Sequence, residues 1–389
     1  MIALEPTEAS ECAEILTRAA SERQRVAFVG GGTALEIGNV GPEPDVLLST
    51  RRLDRVVEYA PEDQVIVAEA GLTLSRLREL AAPNAQWFGV DAPHAERATL
   101  GGLVAVGAFG PRRVRYGGMR ELLLGITLMR ADGAVAQSGS KVVKNVAGFD
   151  LPKVVCGSLG TLGLVSRVTL RLHPSPETSH TAVVEGETAA SVVDIARALR
   201  RAQLEPSSVV ALRRAAGRFD VGVRFEGFES GVRFDAERFV GLLPEARHAT
   251  ADAALAAIFW GDHDAVRSEG SLRLRVSALP TQLPEVEALL EPLLSSLEVP
   301  RFAWYATLGI GFSSGAPTHG PRALEALTLA RSGLVRLGGS LVVDAAPAGV
   351  RGKFDAFGPL PSAFPVMQEL KQRFDPERRL NTGRFVGGL

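Results

Sequence analysis

The sequence predicts an α+β protein of more than one domain, and three observations carry that reading. A chain of 389 residues is long enough for two hydrophobic cores. Up to about residue 172, short apolar runs of strand length alternate with glycine turns and two helix patterns. From about residue 178 to 345 the pattern changes to longer strand and helix candidates in alternation, as in a layered second domain. The stretch 93–172 is the richest in glycine clusters: Gly101-Gly102, Gly117-Gly118 and Gly157-Ser-Leu-Gly160-Thr-Leu-Gly163 lie between apolar runs. Glycine admits positive φ and lets another group come close to the main chain. The run therefore reads either as a series of turns or as backbone lying against a large ligand.

Taken in order, the chain opens with a helix that Thr7 or Ser10 can cap, with Cys12, Ile15, Leu16 and Ala19 on one face. The strand Val26-Ala-Phe-Val29 runs straight into Gly30-Gly31-Gly32-Thr33-Ala34, a common way to present amides to a phosphate. It is neither a dinucleotide fingerprint, since Leu35 stands where the third glycine is needed, nor a P-loop, since no Gly-Lys-Ser/Thr follows. Further strand patterns lie at Asp45–Thr50, Leu53–Tyr59 and Gln64–Ala70, and Thr73 caps a helix bearing Leu74, Leu77, Leu80 and Ala81. Thr99 opens another helix with two glycines in its first turn, where exposed amides suit an anion such as a pyrophosphate. Glu121–Arg130 reads as a strand, Asp132-Gly133 as a hairpin turn and Val165–Leu172 as a clean alternating strand. His173-Pro-Ser-Pro176 ends the first domain as a stiff linker.

Composition narrows the function. The formal charge is −1, from 43 basic and 44 acidic residues, so no global field draws nucleic acid or anionic lipid. Aromatic residues make up 6%, thin for stacking bases. Cys12 and Cys156 are the only cysteines, no disulfide framework, which fits a reducing compartment. With no CxxC and no HExxH, neither an iron–sulfur cluster nor a metal site is expected in this chain. No signal-peptide pattern and no membrane-length apolar run stands out, so a soluble, cytoplasmic protein is expected.

The succession of motifs resembles the FAD-binding domain of the vanillyl-alcohol-oxidase-like flavoproteins, also called PCMH-type. It runs GGGT, Ser49-Thr-Arg-Arg-Leu53, Glu69-Ala-Gly71, Pro93…Thr99-Leu-Gly-Gly102, Arg115-Tyr-Gly117, then GSLGTLG. The segment SKVVKNVAGFDLPKVVCGSLGTLGLVSRVTLRLHP is similar to the smaller flavin subunits of three-subunit glycolate oxidases, the glycolate oxidase FAD-binding subunits. The ending Phe374-Asp-Pro376…Leu380-Asn-Thr-Gly-Arg-Phe385 resembles theirs, with Thr382 where proline is usual. The resemblance covers roughly the first 175 residues and the last twenty. It implies a PCMH-type FAD-binding domain of two α/β subdomains over 1–176, an α+β cap domain over 177–345, and a C-terminal segment, 346–389, that returns to the flavin domain.

The resemblance also assigns roles. Gly30, Gly31, Gly32, Thr33 and Ala34, with Thr99, Gly101 and Gly102, would hold the pyrophosphate, and Ser49, Thr50 and Gly71 would lie along the dinucleotide. Arg115, Tyr116, Gly117, Arg120, Gly160, Thr161, Gly163 and Val165 would line the adenine or flavin channel, and Pro93 and Asn381 complete the set. At the position of Thr33 some relatives carry the histidine that bonds to the flavin 8α-methyl; threonine forms no such link, so noncovalent FAD is expected. Lys141 or Lys144 would place a cation near the flavin N1–C2=O edge.

The back half offers helix candidates at Ala189–Leu204, Ala236–Leu243, Leu283–Leu297 and Pro321–Leu337. Strand candidates include Arg218–Phe225, Leu272–Val276, Phe302–Phe312 and Ser340–Asp344. Oxidising a 2-hydroxy acid needs a base and a cation for the carboxylate. The cap histidines, His180, His248, His263 and His319, are isolated, and Asp262-His263-Asp264 is a poor metal site, so no catalytic residue is assigned. The resemblance implies an FAD subunit of a glycolate or D-2-hydroxy-acid oxidase complex, working with a larger homologous flavin subunit and an iron–sulfur subunit, and meeting a membrane only through them. The alternatives are an FAD-containing relay or assembly subunit without turnover of its own, and a stand-alone oxidase of another alcohol.

Overall fold

In the computed structural model, residues 1–141, 149–243, 249–250 and 252–389 are described. Lys144 and His248 lie outside them. The chain forms two compact units. The first gathers Met1–Gly110, Gly117–Ser175 and Pro359–Leu389; the second gathers Pro111–Tyr116 and Pro176–Gly358. Residues 346–358 thus cluster with the second unit, and the C-terminal return begins at Pro359.

The first unit contains two main sheets. Ile2–Leu4, Val46–Ser49 and Val26–Val29 form a parallel three-stranded sheet with Val46–Ser49 central. The helix Ala9–Ser21 buries Cys12, Leu16 and Ala19 in a core shared with Val26, Val46 and Leu48. Its cap is Glu8, one residue from Thr7, in a reciprocal box with Glu11, whose carboxylate accepts from the amides of Thr7 and Glu8. The second sheet is antiparallel, in the order Val56–Ala60, Val65–Glu69, Leu164–Arg171, Leu123–Met129 and Val135–Gly139. Val65–Glu69 is buried on both faces. The helix Leu74–Ala81 adds Leu74, Leu77 and Ala81 to the same core, and Thr73 Oγ1 caps it by accepting from Arg76 N. Glu121 does not start a strand: the glycine pair lets Gly118 N donate to Glu121 Oε2 (2.8 Å), and Met119–Leu122 takes a helical turn first.

The second unit is built on one antiparallel eight-stranded sheet. Its order is Ala249–Thr250, Thr178–Glu187, Arg218–Gly227, Ser208–Ala215, Leu297–Tyr305, Ile310–Pro317, Leu272–Ser277 and Ser340–Ala345. The helices Ala189–Arg201, Glu229–Leu242, Leu283–Leu294 and Gly320–Arg336 contribute to its large apolar core. The run 302–312, read as one strand, is a hairpin instead, because Gly309 turns the chain at φ +68° and its amide bonds Tyr305 O. The helix Ala253–Ser268 was hidden in a short apolar run; Asp252 caps it through the amides of Ala254 and Leu255.

Candidate functional site

The first unit holds a cleft whose walls are mostly main chain and small side chains. On one side the strand Val26–Val29 leads into the turn Gly30–Ala34. Facing it are Thr99, Gly101 and Gly102 at the start of the helix Leu100–Val106, followed by Ala105 and Val106 one turn on. The third wall is the loop Ser158, Leu159, Gly160 and Gly163 with the first residues of the following strand, Leu164 and Val165. Thr50, Asn381 and Arg384 complete the lining.

The glycines of the first turn are there chiefly for the neighbouring loop. A Cβ on Gly31 would lie 1.5 Å from Arg97 O, and one on Gly30 would lie 2.1 Å from Thr99 Oγ1. Without side chains, the two loops interlock and their backbones meet at the floor of the cleft. Their amides remain available: among the described residues, the N–H groups of Gly31, Gly32, Thr33 and Ala34 have no hydrogen-bond acceptor. Arg384 steadies this turn, its Nη2 donating to the carbonyls of Ala34 (3.2 Å), Leu35 (3.1 Å) and Ile37 (2.9 Å). Asn381 spans the cleft's two ends: its Oδ1 accepts from Phe28 N (3.0 Å) and its Nδ2 donates to Leu159 O (2.6 Å). Thr382, the departure from the usual proline, keeps the turn by donating to Arg378 O (2.5 Å).

Thirteen of the residues expected to bind a cofactor line this cleft: 30–34, Thr50, Thr99, Gly101, Gly102, Gly160, Gly163, Val165 and Asn381. Others do not line it. Ser49 donates to Glu5 (2.9 Å), Thr161 donates to Ser158 O (2.8 Å), and Gly71 leaves room for Thr50 O, which would lie 2.0 Å from a Cβ. Arg120 donates to Lys153 O (2.6 Å), while Gly117 holds a positive φ of 83° beside Glu121. Pro93 is half-buried and does not line the cleft. Arg115 and Tyr116 cluster with the second unit, where Arg115 Nη1 donates to Glu205 O (3.0 Å). Burial raises the Tyr116 pKa, and the carboxylate of Glu226 adds to that. Lys141 pairs with Glu58. Ser158, Arg384 and Ala105 line the cleft without having been singled out; the first two lie inside quoted motifs and Ala105 three residues beyond one, so taking every residue of those motifs and the helical turn that follows finds them.

A bound dinucleotide phosphate fits this donor set. Four neighbouring amides point to no internal acceptor, and the buried Ser158 Oγ on the cleft wall has no hydrogen-bond partner. The comparisons agree. Residues 2–139 match the family described as FAD binding domain. The chain carries an FAD-binding domain. Among curated proteins it is 35% identical over 173 residues to the D-lactate dehydrogenase of Archaeoglobus fulgidus, covering 44% of this chain and 39% of that protein. It is 30% identical over 231 residues to the glycolate oxidase subunit GlcE of Escherichia coli, covering 59% of this chain and 63% of that one. The matches thus span less than two thirds of either relative. Among solved structures, alkyldihydroxyacetonephosphate synthase shares the fold of the FAD-binding domain and of the second unit, with a TM-score of 0.72 at 16% identity, over 97% of this chain and 76% of that one. Among the described residues, no group of three or more His, Cys, Asp or Glu is placed to hold a metal, and no helix is long and apolar enough to cross a membrane.

Proposed function

We propose that this protein is an FAD-dependent oxidoreductase subunit acting on a 2-hydroxy acid such as glycolate or D-lactate. It works in a complex with a larger homologous flavin subunit and an iron–sulfur subunit, in the cytoplasm or held at the inner face of the membrane by those partners. The observation that carries the reading is the cleft of unpartnered amides at Gly31–Ala34 inside an FAD-binding domain whose relatives include hydroxy-acid dehydrogenases. FAD supplies the two-electron acceptor; this chain's part is to hold it. The amides of the first turn take the anionic diphosphate, Ser158 Oγ offers a further donor, and Arg384 and Asn381 keep the walls at their spacing. Thr33 has no nucleophile that forms a flavin bond, so FAD is held without a covalent link.

A second reading, a relay or assembly subunit without turnover of its own, is favoured by one observation. His263, in the second unit, is 2% exposed; its Nδ1 contacts Asp264 (3.0 Å) and its Nε2 contacts Tyr305 Oη (2.9 Å), so it serves packing. Absorbance of the purified chain separates the two. Bleaching of the flavin bands by glycolate or D-lactate establishes direct oxidation; flavin that is reduced only after the partner subunits are added establishes the relay. Acid precipitation is expected to leave all the yellow colour in the supernatant, and pigment in the pellet would refute the noncovalent link.

A further inference from the structure

The C-terminal helix Phe364–Phe374 carries a lysine on its buried face. Lys371 is 2% exposed, and its ammonium donates to Asp375 Oδ2 (2.7 Å), Thr161 O (2.8 Å) and Leu380 O (3.1 Å), so all three of its protons are used. Asp375, fully buried, also accepts from Leu380 N (2.8 Å) with the same oxygen. Leu380 is therefore held at both its amide and its carbonyl. Its neighbours tie it to both walls of the cleft: Leu380 bridges Val26, Asn381 bonds Phe28 and Leu159, and Thr161 belongs to the loop Gly157–Gly163. Gly160 is kept small by this arrangement, since a Cβ there would lie 2.6 Å from Asn381 Nδ2.

We infer that the Lys371–Asp375 pair positions the flavin cleft, setting the distance between the Gly30–Ala34 turn and the Gly157–Gly163 loop through Leu380 and Asn381. Stability alone does not call for these residues. Replacing a buried ion pair with apolar side chains of similar volume is often neutral or stabilising. An apolar pair, however, has no donors for the carbonyls of Thr161 and Leu380. Neither residue lines the cleft, so their effect on a ligand runs through the two they hold.

The test compares the full chain with the double variant Lys371→Met/Asp375→Leu. It uses FAD titration by quenching of flavin fluorescence, together with thermal unfolding and far-UV circular dichroism of the apoprotein. The variant is expected to keep the wild-type circular dichroism and a cooperative transition, at a temperature lowered by the orphaned carbonyls of Thr161 and Leu380, yet to bind FAD at least tenfold more weakly where both chains are folded. Adding Asn381→Ala to it should cost much less than Asn381→Ala costs in the wild type. A folded variant whose FAD affinity is within twofold of wild type overturns the inference. Should the variant not fold, hydrogen exchange on the wild type decides. FAD must slow exchange at 380–384 and 159–163 as well as at 30–34; protection confined to 30–34 overturns the positioning role. The inference rests on FAD as the occupant, and a folded wild type that takes up no FAD overturns that assignment first, before any variant is made.

Discussion

The two units build polar sites in opposite ways. In the first, the cleft is made of backbone: small residues let two loops meet, and the amides of Gly31–Ala34 are left without an internal acceptor. In the second, polarity comes from long side chains buried against the sheet. Arg224 stacks 3.6 Å over the Trp260 ring, His263 links Asp264 to Tyr305, and Arg112 grips Glu226 through Nε (3.0 and 3.1 Å) and Nη2 (2.7 Å). A backbone site responds to any added Cβ, whereas a side-chain site responds to the loss of one partner.

That contrast breaks most visibly at Gly31. The variant Gly31→Val forces a side chain into the carbonyl of Arg97 and parts the two loops. Loss of FAD affinity of at least a hundredfold, about 3 kcal/mol, is expected by fluorescence titration. Retained affinity would show that the amides do not bind the cofactor. In the second unit the largest response should come from Arg112→Met, which strips the partner from a Glu226 side chain that is 2% exposed. An unpaired buried carboxylate costs about 3–5 kcal/mol, read as a shift of the urea midpoint. Arg112→Lys keeps the charge but loses the fork and should fall between. Tyr305→Phe removes one hydroxyl from His263 Nε2 and should cost about 1 kcal/mol, with flavin content unchanged.

The same contrast decides what was legible in the sequence. Turns and caps are local, so Thr73, Thr99, the Asp132-Gly133 hairpin and the GGGT turn could be placed from neighbouring residues alone. The cleft was legible because its parts are short motifs that need no distant partner to be recognised. The polar face of the second unit was not. His263 looks isolated in the chain, and only the packing of the helix Ala253–Ser268 on the strand Leu297–Tyr305 brings Tyr305, 42 residues away, to its ring. The helix Ala253–Ser268 was obscured for a related reason: Phe259 packs on Gly222 while Ile258 is 61% exposed, so its apolar residues do not fall on one stripe. Arg115 and Tyr116 were read with the flavin channel from their place in the motif order. In the structure Arg115 bonds the carbonyl of Glu205, 90 residues on.

An effect that grows only with pH separates the two cysteines of the first unit. Cys12 is fully buried beneath the parallel sheet, and Cys156 is half-buried. Burial pushes the Cys12 thiol up to about 12, and the charges of Glu11 and Glu69 act the same way. The folded pKa lies above the ordinary 9.0, so the folded chain keeps its proton where the unfolded chain gives it up. The contribution is fully present below about pH 9 and is lost as pH rises from there towards 12. At pH 9 half the unfolded thiols are ionised, and the loss is only about 0.4 kcal/mol, growing by about 1.4 kcal/mol for each further unit. Urea unfolding of the wild type and of Cys12→Ala between pH 8 and 10.5 reads this difference directly, because other titrating groups cancel. The wild type should lose stability relative to the variant as the pH climbs. Under native conditions a thiol reagent should label Cys156 first and reach Cys12 only at the rate of unfolding; equal labelling of both would mean that the helix Ala9–Ser21 does not seal its core.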